Sequence, residues 1–104
     1  MGQFVKIGTK ADFEGLHSGR AVEVAGRTIA VFHVNGKFYA IDNECTHVGG
    51  PLAEGFLSGE IVTCPWHAAQ FDLRTGQALD GPASENVRCY AVRVSGDDVE
   101  LEMP

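Results

Sequence analysis

Two short segments near the middle of the chain each carry one cysteine and one histidine. The first reads Cys45-Thr46-His47 and the second Cys64-Pro65-Trp66-His67, with positions 48 to 63 between them. A thiolate and an imidazole are ligand types that suit zinc or an iron–sulfur cluster. Ordinary core residues would explain neither the repeated pairing nor the turn residues around it. We therefore expect a metal centre with four protein ligands. The fold must bring these two segments together around one centre, and no other feature of the sequence constrains the fold as much.

The division of ligands between the two segments bears on which metal is bound. Finger-type zinc sites usually bring two cysteines on one segment and two histidines on another, whereas each segment here is mixed. A mixed pair fits a two-iron cluster in which one iron binds both cysteines and the other binds both histidines. A zinc-stabilised interaction module remains the alternative. A visible absorption spectrum separates the two, because a zinc protein is colourless.

The ligand segments closely resemble those of the Rieske [2Fe–2S] family, in which Cys-Thr-His is followed by a spacer of this length and then by Cys-Pro-x-His. The resemblance implies one [2Fe–2S] Rieske cluster, with Cys45 and Cys64 on the inner iron and His47 and His67 on the outer iron near solvent. It also implies that Gly81-Pro82-Ala83 is a third loop, which covers the cluster from the side. Because four protein ligands leave no open coordination site, the chain should transfer an electron without being an enzyme itself.

Four positions indicate a low reduction potential within that family. High-potential members carry an extra cysteine in each ligand loop, where this chain has Gly50 and Trp66, so no such disulfide can form. They also place a serine and a tyrosine where this chain has Ala69 and Phe71, which have no hydroxyl group. Fewer hydrogen bonds to the sulfurs stabilise the added electron less, so we expect the bottom of the Rieske range of about −150 to +300 mV.

The resemblance also implies a function. The chain is similar to the stand-alone Rieske-type ferredoxins of bacterial aromatic-ring dioxygenase systems, such as those for biphenyl, toluene or naphthalene. A flavoprotein ferredoxin reductase that uses NAD(P)H would be the electron donor, and a terminal oxygenase component would be the acceptor. The alternative is the small Rieske subunit of an assimilatory nitrite reductase, and the four intact ligands favour the ferredoxin. The oxidised aromatic compound is not encoded, because a carrier does not touch it.

Chain length, hydropathy and charge indicate the number of domains, the location of the protein and the kind of partner it binds. With 104 residues, one domain over residues 1–104 is expected, and the resemblance implies a cluster-binding subdomain at about residues 43–83. No apolar run is long enough to span a membrane and no signal-peptide core is present, so a cytoplasmic protein is expected. The formal net charge of −6 at pH 7 argues against nucleic acid and favours partners with basic patches. We expect a monomer.

Short apolar runs separated by glycine predict an all-β chain, and this strand pattern alone would fit many small barrels or sandwiches. The resemblance implies the Rieske fold, in which small antiparallel sheets are arranged like a sandwich or barrel and the two-loop cluster-binding subdomain is inserted. Phe4 to Ile7 is predicted as the first strand, and residues 12–17 as a single helical turn. Hairpins are predicted at Ala25-Gly26-Arg27 and at Asn35-Gly36, the preferred pair for a type I′ turn.

The second half of the chain also indicates strands. Ile61-Val62 should pair with residues 70–72, in a hairpin closed by Thr75-Gly76. Residues 87–94 are the longest β-like run, and Cys89 within them is predicted to be a buried thiol. Val99 and Leu101 alternate with acidic residues, which predicts a half-buried last strand. Neither His17 nor His33 has a cysteine neighbour, so both are expected at the surface.

Overall fold

The computed structural model describes residues 2–15, 19–44, 51–66, 69–79 and 85–103. The strands are β1 (Gln3–Thr9), β2 (Arg20–Val24), β3 (Arg27–Val34), β4 (Lys37–Asp42), β5 (Phe56–Ser58), β6 (Ile61–Thr63), β7 (Gln70–Asp72), β8 (Cys89–Tyr90), β9 (Val92–Ser95) and β10 (Asp98–Met103). One α-helix, α1, spans Lys10–Phe13, and one 3-10 helix spans Leu52–Glu54. The prediction of an all-β fold is confirmed.

The strands form three antiparallel sheets. Their strand orders are β1-β10-β9, β2-β3-β4-β8 and β5-β6-β7. The first and last strands pair with each other, with Gln3 opposite Met103. The β5-β6-β7 sheet falls within residues 43–83, where the cluster-binding subdomain is predicted, although the bounds of that subdomain stay a prediction. Within the described ranges, no helix is long and apolar enough to cross a membrane.

The central sheet is covered on both faces, and strand β3 shows why. Ile29 and Val31 point into one apolar core, which includes residues of β10, whereas Ala30 and Phe32 point into another, which includes residues of β6 and β7. All four side chains are fully buried. A strand buried on both faces has a continuous apolar sequence rather than an alternating one.

We refer to these two cores as the Cys64 core and the distal core. The Cys64 core comprises Ala30, Phe32, Ile41, Leu52, Ala53, Val62, Cys64, Ala69, Phe71, Leu73 and Val87. The distal core comprises Phe13, Ile29, Val31, Ala40, Tyr90, Val99, Leu101 and Met103. The alternating burial of β10, from Asp98 to Met103, confirms the predicted half-buried last strand.

Both predicted hairpins of the central sheet are confirmed. Asn35 and Gly36 have φ of 51° and 79°, and Ala25 and Gly26 have φ of 52° and 78°. Two successive residues with positive φ are the signature of a type I′ turn, whose twist matches that of the flanking strands. Ala25 adopts this left-handed conformation despite its Cβ, at a cost of roughly 1 kcal/mol.

The helical turn lies earlier than predicted. It spans Lys10–Phe13 instead of residues 12–17, because the side chain of Asp12 reaches back to the residue that precedes the helix. Asp12 Oδ2 accepts hydrogen bonds from the Thr9 backbone N–H at 2.8 Å and from the Thr9 hydroxyl at 3.2 Å. These contacts resemble a capping box and start the turn at Lys10. Residues 16–18, with His17, lie outside the described residues.

The prediction of one strand over residues 87–94 is wrong. Strand β8 pairs with β4 in the central sheet, whereas β9 pairs with β10 in another sheet. Between them, the Ala91 carbonyl accepts a hydrogen bond from Glu102 N at 2.9 Å. The chain therefore changes sheets at Ala91, and an apolar pattern with a period of two does not reveal such a change.

Strands β6 and β7 pair as predicted, but the Thr75-Gly76 turn does not close their hairpin. Gly76 N donates to the Asp72 carbonyl at 2.7 Å, so this turn follows β7. It returns the chain so that Ala78 pairs with Phe71. The connection between β6 and β7 is instead made by residues 64–69, the segment that carries the second predicted ligand pair.

Candidate metal centre

The β5-β6-β7 sheet sets the direction of the second ligand segment. Val62 and Phe71 are directly opposite each other and point into the Cys64 core. The adjacent row contains Phe56, Thr63 and Gln70, and it faces outward because side chains alternate along a strand. Gln70 Nε2 donates to Thr63 Oγ1 at 3.4 Å on that outer face.

Cys64 comes directly after β6 and lies at the base of a loop. Its backbone N–H donates to the Ala69 carbonyl at 2.7 Å, which joins the two ends of the segment that contains His67. Its side chain is 1% exposed, whereas Trp66, two residues further on, is 54% exposed. One predicted ligand is therefore buried beneath a loop whose tip reaches solvent.

The base of the first ligand segment is also described. Glu44 pairs with Pro51, and Leu52 N donates to the Asn43 carbonyl at 2.7 Å. Residues 45–50, which include Cys45 and His47, lie outside the described residues, and so do His67 and the predicted third loop at residues 81–83. Of the four predicted ligands, the structure describes Cys64, and it describes the chain ends from which the others extend.

The surroundings of Cys64 fit a ligand of an iron–sulfur cluster. A cysteine thiolate is a soft ligand that suits iron–sulfur chemistry, and this one is surrounded by the apolar side chains of the Cys64 core. Ala69 and Phe71, the positions predicted to offer no hydroxyl donor, are both fully buried in the same core. An apolar shell of this kind controls solvent access and so the potential of a bound cluster.

Charged groups lie at the other end of the same sheet. Arg74 Nη2 lies 2.9 Å from Asp72 Oδ2, and Arg74 Nε lies 3.1 Å from Asp72 Oδ1. These hydrogen bonds hold the pKa of Asp72 below its usual value. The hydroxyl of Tyr39 donates to the Glu60 carboxylate, which raises the pKa of Tyr39. The contact between Tyr39 and Glu60 ties strand β4 of the central sheet to the β5–β6 turn.

Sequence reasoning missed an exposed apolar surface on this sheet. Phe56 is 68% exposed and Leu79 is 44% exposed. Leu79 N donates to the Gln70 carbonyl at 2.8 Å, so Leu79 continues the outward row that begins at Phe56. Trp66, in the connection that follows β6, is also exposed, and we refer to Phe56, Leu79 and Trp66 as the outer patch. A period-two interpretation of Phe56-Leu57 could have found Phe56, because Leu57 packs against the Cys64 core.

The prediction that Cys89 is buried is wrong. Cys89 is exposed, and its Sγ lies 3.6 Å from the Arg74 carbonyl oxygen. Its neighbours Val87 and Tyr90 take the buried positions instead. Partial desolvation raises the pKa of the Cys89 thiol. His33 is half-buried, and its ring stacks on Phe38 with 4.3 Å between the ring centroids.

Comparison with known proteins identifies the family. The Rieske [2Fe-2S] domain family matches residues 3–91. The ferredoxin component of the naphthalene 1,2-dioxygenase system of Pseudomonas aeruginosa is 39% identical over 82 residues, which cover 79% of each chain. The ferredoxin subunit of the 3-phenylpropionate/cinnamic acid dioxygenase of Escherichia coli (strain K12) is 44% identical over 77 residues, which cover 73% of each chain.

Solved structures show the same likeness in three dimensions. The ferredoxin of Sphingomonas yanoikuyae B1 matches with a TM-score of 0.89 at 28% identity, over 98% of this chain and 100% of that one. A chain from the complex of reduced oxygenase and oxidized ferredoxin in carbazole 1,9a-dioxygenase matches with a TM-score of 0.85 at 30% identity, over 93% and 99%.

These likenesses decide between the alternatives that the sequence left open. The matching family is defined by a [2Fe-2S] cluster, which excludes the zinc module. The relatives are ferredoxin components of dioxygenase systems, so a nitrite reductase subunit is not favoured and the protein is an electron carrier rather than a catalytic oxygenase. The chain belongs to the Rieske [2Fe-2S] domain family and, within it, to the ferredoxin components of aromatic dioxygenase systems.

Proposed function

We propose that this chain passes single electrons from an NAD(P)H-dependent flavoprotein ferredoxin reductase to the terminal oxygenase of an aromatic-ring dioxygenase system. Cys45 and Cys64 are the proposed ligands of the inner iron, and His47 and His67 those of the outer iron. When bound, the [2Fe–2S] cluster supplies one-electron transfer and offers no free coordination site for a substrate.

The observation that carries the proposal is the burial of Cys64 beneath the exposed loop tip at Trp66. At Cys64 the proposed centre is closed to solvent by the apolar side chains of the Cys64 core. The connection between β6 and β7 carries both His67 and the exposed Trp66. Electrons therefore enter and leave on the histidine side, where a partner can approach.

The outer patch and the charges near it suit a brief encounter with such a partner. An apolar centre surrounded by polar groups is typical of protein interfaces, and electron-transfer encounters are small and short-lived. Glu44 and Glu54 are exposed at the two ends of the first ligand segment, and the chain has a net charge of −6. The complementary partner surface has an apolar centre and a rim of lysine and arginine.

The chain is proposed to act in the cytoplasm as a monomeric single domain. A carrier that alternates between two partners must dissociate from each of them in every cycle. The cluster-binding part is proposed to lie at about residues 43–83. Because one small domain makes only brief contacts with each partner, it can dissociate from one and bind the other quickly.

Electron transfer can be followed directly with three purified proteins. The oxidised chain is mixed with NADH and a flavoprotein reductase from a dioxygenase system, and bleaching of its visible absorption is recorded. The reduced chain is then mixed with the terminal oxygenase of that system, and its reoxidation is recorded by stopped flow. We expect both steps at rates that exceed those without the partner. A chain that accepts electrons but never reduces any terminal oxygenase would contradict the proposal.

The outer patch can be tested with one variant and one control. Trp66→Ala removes a large aromatic side chain of the kind that often dominates binding energy, so the KM for the chain with the oxygenase should rise at least about tenfold. Val94→Ala removes an equally apolar side chain, 43% exposed, on strand β9 of another sheet, and should leave KM unchanged. Equal effects of the two variants would contradict docking at the outer patch.

A further inference from the structure

Asn43 joins three segments of the chain next to the first ligand segment. Its backbone N–H donates to the Thr28 carbonyl at 3.1 Å, and its own carbonyl accepts from Leu52 N at 2.7 Å. Its side-chain Oδ1 accepts from Ala53 N at 2.8 Å. One residue therefore links strand β3, the end of β4 and the 3-10 helix.

These hydrogen bonds lie at both ends of the segment that contains Cys45 and His47. Asn43 precedes the segment, Leu52 and Ala53 follow it, and Glu44 pairs with Pro51 between them. The ends of residues 45–50 are thereby held together by the backbone bridge and by the side chain of Asn43. Whatever these six residues bind, the distance between their ends is set by these contacts.

The side chain of Asn43 satisfies a donor that the helix itself cannot satisfy. The N–H groups in the first turn of a helix have no acceptor within the helix. Pro51 precedes this 3-10 helix, and Ala53 is 3% exposed, so water has little access to its N–H. The Ala53 carbonyl also accepts from Gly19 N at 2.8 Å. Without Asn43 Oδ1, the Ala53 N–H would be a buried donor with no acceptor, which disfavours this arrangement of the helix.

We propose that Asn43 is a positioning residue for the cluster, and that it acts by holding the two ends of the first ligand segment in the spacing that Cys45 and His47 need. This inference rests on the proposed ligand set. Asn43 itself is not a ligand. Its hydrogen bond to Ala53 affects the cluster indirectly, because it fixes the ends of the loop that carries Cys45 and His47. Hydrogen-bond partners outside the ligand set orient the ligands of other metal sites in the same way.

The chain contains a natural control for this contact. Asp12 Oδ2 accepts from the Thr9 backbone N–H at 2.8 Å, which is the same kind of bond at the start of another helix. Residues 9–12 belong neither to a predicted ligand segment nor to the predicted third loop. Asp12→Ala thus removes a side-chain-to-backbone hydrogen bond from the helix that carries Phe13 into the distal core.

The experiment compares four variants of the holoprotein. Asn43→Ala deletes the acceptor, and Asn43→Asp keeps an acceptor of the same size in the same place. Asp12→Ala is the hydrogen-bond control. Val99→Ala is the stability control, because Val99 is fully buried in the distal core. For each variant we would measure the half-life of the visible absorption in excess iron chelator, the g-values and line width of the reduced cluster by electron paramagnetic resonance, and the midpoint potential.

We expect Asn43→Ala to shorten the cluster half-life about 10-fold or more, to broaden the resonance and to shift the midpoint potential. Asn43→Asp should restore the half-life and the line shape, while Asp12→Ala and Val99→Ala should keep both close to those of the wild type. If Asn43→Ala is insoluble, Asn43→Ser, whose shorter side chain cannot reach Ala53 equally well, takes its place in the same measurements.

Two outcomes would overturn the inference. Asn43→Ala could keep the wild-type half-life and resonance, or Val99→Ala could change the resonance as much as Asn43→Ala does. Failure of the proposed ligand set is distinguishable from both, because wild-type protein would then lack the resonance of a reduced Rieske cluster altogether. Failure of electron transfer to a terminal oxygenase is distinguishable too, because it would leave the resonance and the differences between these variants unchanged.

Discussion

The two apolar cores of this protein are similar in composition but differ in what closes them. The distal core is covered by β1 and β10, which have seven and six residues and pair along their length. The Cys64 core is covered by β5, β6 and β7, which have three residues each. Strands that short form few ladder hydrogen bonds and are marginal by themselves. We therefore expect the distal side to be held by its own strands, and the Cys64 side to gain stability from the bonds that a bound cluster adds.

The largest expected effect comes from removing a ligand on the Cys64 side. Cys64→Ala should abolish cluster binding, because it removes one of the two thiolate ligands of the inner iron and no other residue of the proposed ligand set can replace it. Iron content and visible absorption measure this loss. Cys89→Ala is the matched control, since Cys89 is exposed and lies outside both cores, and it should retain both signals. A Cys64→Ala protein with a full Rieske spectrum would remove Cys64 from the ligand set.

A smaller effect should separate the two cores by their link to the cofactor. Leu52→Ala and Leu101→Ala each truncate a fully buried leucine, one in each core. Each should lower the free energy of unfolding by about 2–5 kcal/mol, measured by urea denaturation. Only Leu52→Ala should also shorten the lifetime of the cluster in chelator. Equal lifetimes in the two variants would mean that the Cys64 core does not depend on the cofactor in the way described.

The reduction potential should respond to hydroxyl groups placed on the Cys64 side. Ala69→Ser and Phe71→Tyr each add a donor at a fully buried position. If the hydroxyl reaches a sulfur, it stabilises the added electron and raises the potential within the Rieske span of about 450 mV. Redox titration of both variants measures the shift. An unchanged potential in both variants, with the cluster intact, would contradict the role assigned to the missing hydroxyls.

The smallest expected effect is a loss of stability in acid that depends on Asp72. Because Arg74 holds the pKa of Asp72 below its usual value, the folded state binds this proton less tightly than the unfolded chain does. The resulting stabilisation is present above the unfolded pKa of about 4 and is lost as the pH falls through the lower folded value. Its size is roughly 1 kcal/mol, since Arg74 is largely exposed.

Asp72→Asn provides the comparison for that acid effect. Urea denaturation of both proteins, at about pH 7 and again below pH 4, should show a difference in stability that shrinks on acidification. A difference that stays constant with pH would mean that the salt bridge with Arg74 is not its source.

Sequence patterns predicted the family and the two turns of the central sheet correctly, although they placed the helical turn too far along the chain. The ligand spacing indicated the family, which the comparisons confirmed, and Asn35-Gly36 predicted its turn. Both predictions depend on residues that are close in sequence. The allowed φ values of a turn and the chemistry of a ligand pair are set by those residues and not by distant parts of the chain. Cys89 was placed wrongly because its burial depends on the pairing of β8 with β4, across almost fifty residues of chain.

By itself, the sequence determined the class of the centre, through the types and spacing of its possible ligands, and the positions of the two type I′ turns of the central sheet. Only the tertiary structure decided that β3 is buried on both faces, that the chain changes sheets at Ala91 and that Asn43 reaches the Ala53 N–H. Turn and ligand preferences are properties of neighbouring residues. The order of strands in a sheet and the hydrogen-bond partner of a side chain depend on which segments, far apart in sequence, pack against each other. A local sequence pattern does not contain that information.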